Sequence, residues 1–347
     1  MNPISLTILL FSLALGTITT MSSYHWLLAW MGLEINTLAI IPLMAQQHHP
    51  RAIEASTKYF LTQATASSMI LFSSINNAWT TGEWSVLNMS DTTSITIMTL
   101  ALSIKIGLAP FHFWLPEVLQ GLNLTTGLIL STWQKLAPMA IMYLTAPSLN
   151  TNILLSLGLL STLVGGWGGM NQTQLRKILA FSSIAHLGWM ISITSILPQL
   201  MALNLTIYLI LTSSMFLTLK TLSSTTINTL STAWPKSPML TTMCTLTLLS
   251  LGGLPPLSGF MPKWLIIQEL INQNTPMLAT LMALSALLSL FFYLRLSYSM
   301  SLTTSPSPSN SYIPWYQSTK QETLTLSLTL ILSTLLLPLT PSMINLT

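Results

Sequence analysis

Gly107–Glu117 reads Gly-Leu-Ala-Pro-Phe-His-Phe-Trp-Leu-Pro-Glu, and Gly253–Lys263 reads Gly-Leu-Pro-Pro-Leu-Ser-Gly-Phe-Met-Pro-Lys. Both fit Gly-Leu-x-Pro, five residues, Pro, then a charge, at an offset of 146 positions. The first lies in an apolar run over 92–121 and the second in one over 238–272. Each run exceeds the roughly 20 residues that cross a bilayer as one helix. Proline removes a backbone donor and frees a carbonyl, which a membrane tolerates only inside protein or beside water. The two runs therefore predict discontinuous helices.

Working outward, the composition requires lipid. Apolar residues are 51% of the chain and charged residues 5%, against about 25% charge in a soluble domain. Scanning for apolar runs bounded by polar or proline breaks predicts about eleven spans, near 4–20, 24–45, 57–76, 92–121, 125–145, 149–170, 174–195, 199–221, 238–272, 276–298 and 323–345. Barrel strands, about ten residues of alternating polarity, do not fit these runs. No charge precedes Glu34, so the opening lacks a basic signal region and reads as a retained first span. Each proline-interrupted run is fourth in a set of five. Because five is odd, the second set enters from the opposite side, giving two inverted five-helix repeats. We expect repeats at 1–147 and 148–300, then a linker and a last span at 301–347. Matched broken helices in two halves are the sequence mark of a transporter with a midplane ion path.

The loops sort by charge. Arg51, Lys58, Arg176, Lys177, Lys220, Lys236, Arg295 and Lys320 fall in or beside loops on the N-terminal side, while Glu83 and Asp91 fall on the other. The positive-inside rule makes the N-terminal side the inner compartment.

Four charges stand deep inside spans. Glu34 is central in its span, roughly 15 Å from either end at 1.5 Å per residue, too deep to snorkel. Lys135 is equally central, Lys105 precedes the first break and Lys263 follows the second. Each costs roughly 2.5–3.5 kcal/mol on insertion scales, so these groups must pair, shed charge or sit in internal water. A proton relay and static ion pairing are the two readings, and we expect the relay. Lys58, near a span end, is an interfacial anchor or a partner for Glu34. Glu117 either balances Lys135 or reaches the inner side. His186, central in the counterpart of the Glu34 span, either serves a relay, which its ordinary pKa suits, or is simply hydrogen-bonded in place, and the same two readings hold for His112 at the first break.

Other signals are weaker. Cys244 is the one cysteine, which excludes an internal disulfide and a cysteine-bound cluster. The glycines around Trp167 have no strand before them and read as close helix packing rather than a nucleotide loop. No metal is expected at His48 and His49, and no glycosylation at the sequons Asn88, Asn123, Asn171, Asn204 and Asn345.

Ser103–Glu117, Thr132–Pro138 and Gly252–Lys263 together resemble the NADH–ubiquinone oxidoreductase chain 2 family encoded in animal mitochondria, from the Met-Asn-Pro start to the C-terminus. The resemblance implies an antiporter-like, proton-pumping membrane subunit of respiratory complex I in the mitochondrial inner membrane. By the same resemblance Glu34, Lys105, Lys135 and Lys263 match channel residues, with Lys58 a looser match. FMN, iron–sulfur clusters, NADH and ubiquinone are then bound by other subunits, with no cofactor or metal held by this chain. Implied partners are membrane-arm and accessory subunits and membrane lipids, cardiolipin among them, with no nucleic acid. Bacterial relatives carry three further N-terminal helices that this chain lacks. A free-standing cation/proton antiporter and a structural scaffold with inert ion pairs are the competing readings.

Overall fold

The computed structural model describes residues 2–46, 49–234, 237–302 and 323–342. The expectations attached to His48, Lys236, Lys320, the linker over 303–320 and Asn345 lie outside these residues. Every regular element described is helical, and extended pairing is confined to two isolated bridges, His25 with Ser85 and Gln174 with Thr226.

In chain order the helices are α1 (Pro3–Ser22), α2 (Trp26–Met44), α3 (Pro50–Thr81), α4 (Thr92–Ile106), α5 (Trp114–Gly121), α6 (Leu124–Ser131), α7 (Trp133–Thr145), α8 (Thr151–Met170), α9 (Leu175–Thr194), α10 (Pro198–Thr221), α11 (Ile227–Ser231), α12 (Pro238–Gly252), α13 (Phe260–Asn272), α14 (Pro276–Ser301) and α15 (Thr323–Leu335). Six of them, α1, α2, α8, α9, α10 and α14, are long and apolar enough to cross a membrane. The many hydroxyls are compatible with lipid because they bond back within their own helices. Ser103 donates to the Leu100 carbonyl at 2.6 Å, and Thr218 to that of Met215 at 2.8 Å.

Small residues set the helix contacts. A Cβ on Gly16 would stand 2.9 Å from the Gly32 carbonyl, joining α1 to α2; one on Gly158 would stand 3.0 Å from that of Gly188, joining α8 to α9. The glycines around Trp167 work the same way. Gly165 admits the Ala185 backbone of α9, and Gly166 the Leu288 side chain of α14. Lipid-facing apolar side chains line the outside, with Ile4, Ile8, Phe11, Leu15 and Ile18 exposed along α1. At the centre runs α9, in which every residue from Ser182 to Thr194 is buried.

Both expected breaks are present, and both helices end on a glycine in the left-handed region. Gly107 has φ 85° and ψ 43°, and Gly253 has φ 83° and ψ 42°. In each, the next amide reaches back five residues, Leu108 to the Ser103 carbonyl at 2.9 Å and Leu254 to that of Leu249 at 3.4 Å. Such a close needs a residue without a Cβ, and the prolines that follow cannot continue the helix. The carbonyls left over are taken by side chains. The Trp114 indole donates to Ile104 at 3.1 Å, and the Gln63 amide to Lys105 at 3.4 Å. Pro256 has no N–H for the Gly252 carbonyl four residues before it; Lys263 Nζ donates to that carbonyl instead, at 2.9 Å.

Three features differ from the sequence reading. The fifth span, expected to be continuous over 125–145, breaks at Thr132 (φ −111°, ψ −69°) between α6 and α7. The Thr132 hydroxyl donates to the Leu128 carbonyl at 2.7 Å, in competition with the backbone ladder. The third span is a helix of 32 residues, longer than 57–76. The last span stops as an α-helix at Leu335, and a 3₁₀ turn at Leu337–Leu339 follows, with Pro338 inside it.

Candidate functional site

Three lysines lie deep in the fold: Lys105 is 5% exposed, Lys135 4% and Lys263 9%. Among the described residues, the ion pairs within 4 Å are the two that Lys58 makes, so none of the three has a carboxylate in contact. Their surroundings are neutral and polar instead.

Lys105 and Lys135 share a cavity of about 20 Å³, lined also by Asn36, Tyr59, Gln63 and Gln134. That volume holds about one water. Lys105 Nζ and both polar atoms of the Asn36 side chain are buried without a protein partner. Gln134, the second residue of α7, donates to the Asn36 carbonyl at 3.4 Å, and the Tyr59 hydroxyl to Gln134 Oε1 at 3.5 Å. Glu34, half-buried on α2, accepts the Thr37 hydroxyl at 3.1 Å and lies within electrostatic reach of Lys105.

From Lys135 the polar groups run on into the second half of the chain. Lys135 Nζ donates to the Tyr208 hydroxyl at 2.8 Å, and that hydroxyl donates to the Ser131 carbonyl at 3.2 Å. The Tyr208 ring lies 5.7 Å from the His186 ring, and His186 Nε2 is 3.5 Å from the Tyr293 hydroxyl. His186, Asn204, Tyr208 and Lys263 line one narrow gap, too small for a water, beside Gly259 and Pro262. Lys263 also faces a cleft of about 200 Å³ between α13 and α14. His112 is buried at the first break against Phe113 and Phe181, away from these contacts.

Lys58 and Glu117 answer the pairing alternatives directly. Lys58 pairs with Glu117 at 2.7 Å and with Glu54 at 2.6 Å, so its partner is not Glu34, and Glu117 does not balance Lys135. All three are substantially exposed and line a cleft of about 340 Å³ with Arg51 and Lys177. Lys58 holds the Glu54 carboxyl below its ordinary range by hydrogen bond and charge. Nearby, Arg176 donates to the Leu122 carbonyl and Arg295 to the Met170 carbonyl, so cations cap helix C-termini there.

Several members of the axis carried no signal in the sequence. Tyr208 and Tyr293 are single tyrosines in apolar runs, which read as packing. Asn36, Gln63 and Gln134 are uncharged and pass the cost argument that singles out Lys and Glu. A polar residue central in a span, at the depth of Lys135, was the available clue.

Comparison with known proteins names the fold. Residues 23–289 match the family described as NADH:quinone oxidoreductase/Mrp antiporter, TM, and residues 290–344 match NADH dehydrogenase subunit 2 C-terminus. A Xenopus laevis protein, NADH-ubiquinone oxidoreductase chain 2, is 70% identical over 98% of this chain and 99% of its own length. The chain belongs to the NADH-ubiquinone oxidoreductase chain 2 family. The same name is carried by an Oncorhynchus mykiss relative, 65% identical over 99% of this chain and 98% of its own. A chain of respiratory complex I from Thermus thermophilus superposes with a TM-score of 0.81 at 27% identity, covering 97% of this chain and 80% of that one. A chain of an archaeal membrane-bound sulfane sulfur reductase shares the fold, with a TM-score of 0.82 at 17% identity over 97% of this chain and 74% of that one. As a chain 2 member, the protein is an antiporter-like membrane subunit of proton-translocating NADH:ubiquinone oxidoreductase, with other complex I subunits as its partners. It is a multi-pass protein of the mitochondrial inner membrane.

Proposed function

We propose that this subunit carries protons along the buried polar axis, with Glu34, Lys105, Lys135 and Lys263 as the groups that take and release them. The supporting observation is that three lysines lie within the membrane-embedded fold with no carboxylate in contact among the described residues. A permanent structural charge at that depth would require a paired counter-ion. Neutral hydrogen-bonding groups and a water-sized cavity suit an amine that gains and loses a proton. The absence of pairing among these residues counts against a scaffold of inert ion pairs. His186, within electrostatic reach of both Lys135 and Lys263, extends the relay. His112 serves at the first break, and Lys58 with Glu117 forms the mouth on the basic side.

The chain is read as eleven crossings in two inverted repeats, 1–147 and 148–300, followed by 301–347. The paired contacts favour this. α1 packs on α2 and α7 as α8 packs on α9 and α14, and α3 meets α4 and α5 as α10 meets α12 and α13. The N-terminus and the basic loops face the matrix, and the C-terminus faces the intermembrane space. The redox groups, FMN, iron–sulfur clusters, NADH and ubiquinone, belong to other subunits, which deliver the driving force. Lipids, cardiolipin among them, cover part of the apolar surface.

Glu34→Gln tests the reading, since it keeps the volume and removes the charge. In assembled complex it should slow NADH-driven proton pumping several-fold. Unchanged pumping would take Glu34 out of the path.

A further inference from the structure

We infer that Tyr208 is a positioning residue for Lys135, its hydroxyl turning between two acceptors so that the lysine has a partner whether or not it carries the relayed proton. The inference rests on the proposed relay and adds to it a group that neither charge nor span position reveals.

The geometry begins at the break between α6 and α7. In a continuous helix the Ser131 carbonyl would receive the amide of residue 135. Here the Lys135 amide turns to Thr132 at 3.3 Å, and the Ser131 carbonyl accepts the Tyr208 hydroxyl at 3.2 Å. With its proton on Ser131, the Tyr208 oxygen presents a lone pair to Lys135 Nζ at 2.8 Å. That arrangement suits an ammonium, which has donors and no acceptor. Once the proton leaves, the amine nitrogen gains a lone pair and needs a donor. A tyrosine hydroxyl is both donor and acceptor, and it rotates to suit. Turning about the C–O bond gives up its longer contact, to Ser131, and offers the proton to the amine. The ring itself need not move. It is 1% exposed, set 4.7 Å from Lys135 Nζ at its centroid and packed on the His186 ring. The break in the fifth span therefore has a use: it frees the carbonyl that parks the hydroxyl proton in one of the two states.

Tyr208→Phe keeps the ring and deletes the hydroxyl. We compare it in assembled complex with Lys135→Met and with the double variant, measuring NADH-driven proton pumping alongside the amount of complex assembled. A hydrogen bond to a charged group is worth enough for the Phe variant to pump about 10-fold more slowly at unchanged assembly. The double variant should lose no more than Lys135→Met alone, because both changes act on one proton. Normal pumping by Tyr208→Phe, with Lys135→Met impaired, would overturn the inference and leave the relay standing. Normal pumping by Lys135→Met would overturn the relay, and the inference with it. If Tyr208→Phe does not assemble, infrared difference spectra of wild-type complex with ring-deuterated tyrosine decide the matter. Turnover should then change a tyrosine C–O band that Lys135→Met removes. A wild-type spectrum without such a band would overturn the inference.

Discussion

Lys263 folds back across Gly253, with its Nζ 2.9 Å from where a Cβ on that glycine would lie and 2.9 Å from the Gly252 carbonyl. The helix break and the buried charge are thus one construction: the proline that stops the helix frees the carbonyl that holds the lysine. Gly107, at the first break, has the same backbone conformation, but the atom nearest its absent Cβ is a methyl of Leu115 at 2.9 Å.

A contrast between the two glycines follows. An alanine in the left-handed region costs roughly 1–2 kcal/mol at either position. Gly107→Ala and Gly253→Ala should both lower the yield of assembled complex. Only Gly253→Ala displaces a member of the axis, so it alone should also slow proton pumping per assembled complex. Native-gel yield and pumping rate, measured on the same membranes, check both halves.

The surface triad of Lys58, Glu54 and Glu117 predicts a pH response with a definite sign. Lys58 lowers the Glu54 carboxyl below its usual value of 4.5. A carboxyl lowered by folding contributes stability that is present above its ordinary pKa and is lost as pH falls through the lower folded value. Thermal stability should therefore not change between pH 6 and 8 on account of this pair. A loss below about pH 4.5 should be smaller in Glu54→Gln, as melting curves across acid pH would show. Because exposed pairs contribute little to stability, Lys58→Met should change the yield of assembled complex by no more than about twofold.

Orientation is open to labelling. Cys244 is the chain's one cysteine and is buried, so a cysteine placed at exposed Asn228 reports alone for this subunit. Asn228 lies in the short helix α11, which starts directly after the Gln174–Thr226 bridge at the basic end. A membrane-impermeant thiol reagent should reach Asn228→Cys from the matrix side only. Modification from the intermembrane space would invert the topology.

The sequence discloses unevenly what this fold and site contain. The breaks at Gly107 and Gly253 were legible because glycine and proline act locally, through one positive φ and one missing donor. The break at Thr132 was not: a threonine hydroxyl competing for a carbonyl is a common event inside helices that remain continuous. The burial of Lys105, Lys135 and Lys263 could be read from their places at mid-span or beside a break, although Glu34, as central as Lys135, is only half-buried. Their partners could not. The link from Lys135 to Tyr208 crosses 73 positions and the one from Lys58 to Glu117 crosses 59, and periodicity along one helix says nothing about which neighbour it meets. Tyr208 adds a second difficulty, because a tyrosine among Leu and Ile satisfies the packing reading until its hydroxyl is seen.

In the proposed relay the buried lysines carry protons rather than hold the fold together. Lys135→Met preserves length and apolar stem while deleting the titratable group, and Lys220→Met makes the same change at an exposed helix end. Removing a costly buried charge need not weaken the helix that bears it, so both variants should assemble. The measurement is protons pumped per second by equal amounts of assembled complex oxidising NADH. Pumping should be near normal in Lys220→Met and several-fold lower in Lys135→Met. Equal, near-normal pumping by both would show that Lys135 is structural and would contradict the relay.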